Sequence, residues 1–299
     1  MSQELLIHLT AVPQRTLTAP ELIEEFKHFV SQDFSNTDSD ETIVYPTAIA
    51  YGRRKLRKTL YELAHNAGLT VTLVVEAFTL DSLLMLNPSR TVTELKAAEA
   101  SFQPPRIGLD CDDTQLMPMS DFELDEYATE KVTDQQIKSF TDIIALFNNP
   151  VTQFELRLNQ DSHDTPYHLE SIADHIEMTM AGALENDRFT DELYFIAMFH
   201  DLGKALTKQF KDNGHATYQD HAQLSALYAY AFVAKSDLDY GEYQDLIEAI
   251  YQHMHIMHMP FSHKQMTHNH WSSELVEIMF AFKDIDSAAA VRDSTLEKD

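Results

Sequence analysis

In the C-terminal half of the chain, four polar side chains stand where the apolar face of a helix should continue. Leu193, Ile196 and Ala197 fall on one helical stripe that ends on His200, with Asp201 beside it. Leu246, Ala249 and Ile250 lead in the same way to His253, and Leu275, Met279 and Phe282 lead to Asp286. Ile172, Ile176 and Thr179 flank the face that carries His175. Spacings of three, four and seven place such residues on the side of a helix that faces the core. A single inward histidine is ordinarily a hydrogen-bonded core residue, and one His-Asp pair carries little information. Recurrence on separate helices is different, because an ionised carboxylate among apolar groups is costly unless something positive meets it. A lysine would serve Asp286 but not the inward histidines as well. One or two metal ions satisfy all of them, since neutral imidazole and carboxylate both suit borderline divalent cations.

Short motifs around these residues extend the pattern. Pro166-Tyr167-His168-Leu169-Glu170-Ser171-Ile172-Ala173-Asp174-His175 comes first, then His200-Asp201-Leu202-Gly203-Lys204. Tyr218-Gln219-Asp220-His221 with Ser225-Ala226 follows, then Gln252-His253-Met254 and finally Asp286-Ser287-Ala288-Ala289. In order and spacing these resemble the histidine and aspartate motifs of the HD-domain metal-dependent phosphohydrolases. The resemblance implies that His175, His200, Asp201 and Asp286 hold one ion, and that His221 and His253 help to hold a second. Four histidines with two aspartates suit Mn, Fe, Co, Ni or Zn better than Mg, so one or two divalent transition-metal ions are expected. Such an ion acidifies a bound water and polarises a phosphoryl oxygen. By the same resemblance, Asp201 and Lys204 are the catalytic candidates, and Lys204 also meets the substrate phosphate. The plain alternative for Lys204 is a basic residue favoured by a helix C-terminus. His168, seven residues before His175, either lines the substrate pocket or lies on the surface. His215 competes with His221, although Tyr218 and Ser225-Ala226 favour His221; Asp284 competes with Asp286 but lies on a more mixed stripe. His255, His258, His263, His268 and His270 fit no closed ligand set and read as a solvated Met- and His-rich loop rather than a further metal site.

Helices must position these groups. The periodicity after the acidic stretch Asp110–Asp134 predicts helices near 134–147, 168–184, 191–201, 219–234, 243–257 and 272–292, with Gly203, Gly214 and Gly241 between them as stops. Before that stretch, strand-like runs at Glu4–Leu9, Thr42–Tyr45 and Leu69–Phe78 alternate with helical spacing at Glu21–Val30 and Arg53–Ala67, which argues for a small α/β layer. The expected fold class is therefore α+β overall: a small α/β domain over residues 1–115, an acidic linker and connecting helix over 116–149, and an all-α HD-type domain over 150–299. The run Ile43-Val44-Tyr45-Pro46-Thr47-Ala48, the basic Arg53-Arg54-Lys55, the strand Leu69–Phe78 and Asn87-Pro88-Ser89-Arg90 resemble the second half of polynucleotide-kinase-like P-loop proteins. Pro46 stands where that family has an aspartate, and Leu9–Thr18 stands where its phosphate loop belongs. That loop requires glycines and a lysine to wrap phosphate, and the first glycine of this chain is Gly52. The domain is thus expected to be a degenerate relative without nucleotide chemistry. The cluster Arg53, Arg54, Lys55, Arg57 and Lys58 reads as a solvated helix face.

Composition bounds what such a protein engages. A formal net charge of −26 disfavours broad nonspecific binding to nucleic acid, while a local cation or metal can still accept a small phosphorylated substrate such as a nucleotide. The single cysteine, Cys111, excludes an internal disulfide. No apolar run is long enough to span a bilayer, and without a basic, apolar leader at its start the chain is expected to be cytoplasmic. The functional expectation is hydrolysis of a phosphomonoester or phosphodiester, in a nucleotide or RNA end. The competing expectation is an HD scaffold that senses a nucleotide as a regulatory module.

Overall fold

Side chains alternate between buried and partly exposed along Gln3–Thr10, with Leu5, Ile7 and Leu9 buried, the period of a strand packed on one face. This strand, β1, belongs to the first of two compact units, Met1–Asp121 and Phe122–Asp299. The computed structural model describes residues 3–15, 17–32, 42–118, 120–258, 266–267 and 269–292. Thr16, His263 and His268 lie outside the described residues, as does the side chain of His258.

In the first unit, β1 is followed by α1 (Ala19–Val30), β2 (Ile43–Val44), β3 (Ile49–Ala50), α2 (Arg54–Asn66), β4 (Leu69–Val75), α3 (Leu80–Leu86), α4 (Val92–Glu99) and β5 (Asp113–Leu116). The sheet is parallel in the order β2-β1-β4-β5, and β3 pairs with β1 as well. Ile43 lies opposite Leu5 and Ile49 opposite Leu9, so β2 and β3 are successive pieces beside one strand. Pro46, which has no N–H to give a ladder, stands between them. The described parts of the Leu9–Thr18 segment include the end of β1 and the Thr18 cap of α1, whose hydroxyl accepts from the Glu21 amide.

Two expectations for this unit change. Arg57 is not on a solvated face: its guanidinium is fully buried and lies 2.7 Å from Asp110, with further bonds to the Tyr51 and Gln103 carbonyls. Removing one partner of such a pair costs about 3–5 kcal/mol, because the other charge is left buried alone. Asp110, at the head of the acidic stretch, is therefore a core residue, and three residues later β5 adds to the sheet edge through Thr72↔Asp113.

The second unit is helical apart from the short antiparallel pair β6 (Gln209–Phe210) and β7 (Ala216–Thr217). Its helices are α5 (Ala128–Thr133), α6 (Phe140–Ile144), α7 (Pro150–Arg157), α8 (Ile172–Leu184), α9 (Thr190–Phe199), α10 (Lys204–Thr207), α11 (His221–Lys235), α12 (Tyr240–His258) and α13 (Ser273–Ala289). The stretch 116–149 contains two short helices, α5 and α6, of which α6 falls within the helix expected near 134–147. The left-handed Gln135 (φ 53°) stops the first, and a Ser139–Asp142 capping box starts the second. The chain is thus α+β, with a parallel sheet first and helices after it. Among the described residues no helix is long and apolar enough to cross a membrane.

Candidate metal centre

Local sequence sets each side chain of the centre. Ser171 caps α8, its hydroxyl accepting from the Asp174 amide while the Asp174 carboxylate accepts in return from Ser171. That fixed start puts His175 on the buried face with Ile172, Ile176 and Thr179. His200 closes α9, and Asp201 and Gly203 form the turn beyond it. A Cβ on Gly203 would lie 2.2 Å from the His221 carbonyl oxygen, so only glycine lets this turn press against the first residue of α11. Asp220, held left-handed at φ 62°, makes α11 begin at His221. His253 comes from α12 and Asp286 from α13, both buried.

These elements bring the six residues together. His175 Nε2 lies 2.8 Å from Asp286 Oδ1 and 3.7 Å from Asp201 Oδ2, and His200 Nε2 is 3.3 Å from Asp201 Oδ2. On the other side of the carboxylate, His221 Nε2 is 3.2 Å and His253 Nε2 3.8 Å from Asp201 Oδ1. Two groups can each hold an ion: His175, His200 and Asp286, and Asp201, His221 and His253. Asp201 faces both.

The histidine tautomers decide what this arrangement needs. His200, His221 and His253 each donate Nδ1–H to the carbonyl three residues earlier, those of Ala197 (2.9 Å), Tyr218 (2.6 Å) and Ile250 (2.7 Å). A carbonyl can only accept, so in the neutral rings Nε2 carries the lone pair. Yet His221 Nε2 and His253 Nε2 are 3.0 Å apart. Two lone pairs at that distance require a proton or a metal ion between them. His200 Nε2 and both Asp201 oxygens are buried without a hydrogen bond, the ion-pair contact of Lys204 to Oδ2 being poorly directed for one. Orphaned buried acceptors of this kind call for an unseen partner, and a divalent cation fits nitrogen and carboxylate donors so disposed.

Electrostatics follow from burial and neighbours. Burial pushes His253 down, helped by His221 and His200, to about 3, so it is a neutral donor. Burial also opposes charge on His175, but Asp286, Glu170 and Asp201 outweigh it and raise its pKa to about 9. Asp201 is held well below the usual carboxylate range despite complete burial, chiefly by His200 and Lys204. Asp286 is likewise lowered against its burial, by His175 first and His200 next.

The remaining candidates sort by position. Lys204 is buried at the start of α10, with Nζ 2.6 Å from Asp201 Oδ2 and donating to His163 Nε2 at 3.1 Å. His168 is half-buried, stacked on His163 at 4.4 Å between centroids and edge-on to His175 at 4.9 Å, so it borders the centre. His215 lies in the turn between β6 and β7, and Asp284 is exposed on α13; neither joins the cluster. His255 is exposed on α12, within a helix rather than a loop, and His270 is exposed.

His163 and Glu170 escaped the helical pattern because they precede α8 in irregular chain. His163 is 1% exposed, and burial with the neighbouring Lys204 pushes it down to about 3. Burial works against the charge on Glu170, but His175, backbone amides and His168 bring its carboxyl down to about 2. The available signal was an inverted alternation: Tyr167 and Leu169 are exposed while His168 and Glu170 turn inward. His163, His168 and Glu170 also form a group of metal-ligand types. The Lys204 ammonium against His163 argues against a cation there.

The ligand assignment has a direct consequence. His200→Ala should leave the protein with little transition metal after dialysis, whereas His255→Ala should retain the wild-type content; elemental analysis reads both. Equal losses would show that the wrong histidines have been chosen.

Residues 165–282 match the family model for the HD domain, a span that holds His168, His175, His200, Asp201, Lys204, His221 and His253 and ends before Asp286. No curated protein and no solved structure gives a match. The matched segment supports a place in the HD superfamily, whose domains are mostly metal-dependent hydrolases.

Proposed function

We propose that the chain is a metal-dependent phosphohydrolase in which His175, His200, Asp201 and Asp286 hold one divalent transition-metal ion and His221 and His253, with Asp201, a second. The observation that carries this reading is the convergence of four imidazoles and two carboxylates, with buried acceptor atoms on His200 and Asp201 that make no hydrogen bond. When bound, such ions acidify water and polarise a phosphoryl oxygen.

The chain's own residues supply the rest. Asp201 is the charged hub: removing its carboxylate would unbalance both groups. Lys204 is the one buried ammonium at the site, placed to pair with a phosphate oxygen while His163 fixes its direction. His168, at the border, lines the substrate side. A small phosphomonoester or phosphodiester suits one ammonium and one or two ions better than a long polyanion does, because the surface elsewhere is strongly acidic. A nucleotide or an RNA end is the substrate class we favour. For the N-terminal unit we propose, on sequence resemblance, a degenerate polynucleotide-kinase-like domain.

The test is hydrolysis by the full chain, with Mn2+ or Co2+ added, of a panel of nucleotides, cyclic phosphates and RNA 3′ ends. Activity should vanish on chelation. Lys204→Ala should keep its metal and lose roughly 10²–10³-fold in rate, the usual effect of deleting one transition-state charge partner. A metal-loaded wild type that hydrolyses nothing in the panel would overturn the enzyme reading and leave a nucleotide-sensing scaffold in its place.

A further inference from the structure

Three of the four inward histidines are steered by their own local chain, through Nδ1–H to the carbonyl three residues back, on the same helix for His200 and His253 and in the turn before α11 for His221. His175 is the exception. Its Nδ1 finds no carbonyl and faces Glu170 Oε1 at 3.3 Å. The same oxygen lies 2.7 Å from His168 Nδ1, and Glu170 Oε2 accepts from the Val291 amide at 3.0 Å. Leu169 N–H in turn donates to the Val291 carbonyl at 2.8 Å. One carboxylate, with a side-chain exposure of 5%, thus accepts from a substrate-side histidine and from the chain that leaves α13 just after Asp286, and faces a ligand histidine across 3.3 Å.

The donor count explains why an acid is needed. Two N–H groups bond this side chain and a third nitrogen, His175 Nδ1, faces it at 3.3 Å, while an ionised carboxylate is acceptor-only with about four lone-pair sites. An amide would have to turn its NH2 toward one of the three. A histidine that ligates through one nitrogen and gives the other N–H to a carboxylate is both oriented and made a stronger donor.

We propose that Glu170 is the positioning carboxylate of the metal centre, setting His175 Nε2 toward Asp286 and Asp201 and tying it to His168. The proposal rests on the metal reading above and concerns a residue with no role assigned so far.

The experiment measures Co2+ and Mn2+ affinity of the full chain by titration calorimetry, with the visible spectrum of the Co2+ form as a second readout. Glu170→Gln should weaken binding by about 10–100-fold, the usual effect of losing such a partner, and shift the Co2+ bands, with far-UV circular dichroism unchanged. Val291→Pro removes only the amide donor, next to an Ala290 that is already extended (ψ 118°) and so compatible with a following proline. It should bind metal as wild type does. If Glu170→Gln does not fold, Glu170→Asp, which keeps the charge but shortens the reach, should still show weakened binding. Wild-type affinity and spectrum in the folded Glu170 variant would overturn the proposal. Equal losses in Val291→Pro would overturn it too, since the tether would then carry the effect. A wild-type chain that takes up no metal would instead overturn the metal reading itself, and this proposal with it.

Discussion

Asp201→Ala should abolish metal uptake and hydrolysis together. Its carboxylate faces both ligand groups: Oδ2 faces His175 and His200, and Oδ1 faces His221 and His253. Loss of an outer partner of a metal ligand costs about 10–100-fold in affinity, and loss of a shared inner carboxylate should cost more. The rate should fall beyond the roughly 10²–10³-fold expected for Lys204→Ala, because the groups that activate water lose their anchor as well. The Lys204 ammonium would also lose its 2.6 Å partner inside the protein. Asp201→Asn, which keeps the shape and one acceptor oxygen but not the charge, should fall between. Mass-spectrometric metal content after dialysis and initial rates on the best substrate check the series. Full metal occupancy in Asp201→Ala would mean that the hub has been misidentified.

Gly203→Ala should damage the fold and the centre at once. The added Cβ would lie 2.2 Å from the His221 carbonyl oxygen and 2.9 Å from the Ser225 amide nitrogen, both backbone atoms that cannot swing aside. It would also disturb the bond from the Gly203 N–H to the Ser225 hydroxyl. Overpacking of this kind costs about 1–3 kcal/mol and sometimes more, so a loss of several degrees in melting temperature is expected, together with weakened metal binding as His221 moves. Gly182→Ala is the milder comparison: its Cβ would meet the Cγ2 methyl of Ile285 at 2.8 Å, a side-chain rather than a backbone contact. Calorimetric melting of both variants decides. Equal, small shifts would show that the turn yields more easily than its geometry implies.

Much of this arrangement could be read from helical period. The stripes ending on His200, His253 and Asp286 are the buried faces of α9, α12 and α13, and the same arithmetic separated Asp286 from the exposed Asp284. Period is silent where chain is irregular. His163 and Glu170 sit before α8, and their inward aim comes from contacts with residues distant in sequence, Lys204 and Val291. Charge runs misled for a related reason. Arg57 shares a basic helix with solvated neighbours, and Asp110 stands at the head of an acidic stretch, yet they are buried against each other across 53 residues. Local composition does not encode a pairing of that range. The helix expected near 134–147 covers α6 alone, and α5 lies in the stretch read as acidic and irregular; the left-handed Gln135 between them has no glycine or proline to announce it.

The bond between His175 and Asp286 joins positions 111 residues apart. Considered in time rather than in space, it makes the centre a late event in the life of each molecule. A chain emerging from the ribosome presents α8 and α9 long before α13, and until that last helix docks, His175 and His200 lack the carboxylate of their group. Contacts of such sequence separation form slowly, because the loop must close before they are rewarded. Firm capture of an ion by the group of His175, His200 and Asp286 would therefore signal that synthesis has passed residue 286 and that the first and last helices of the centre have met.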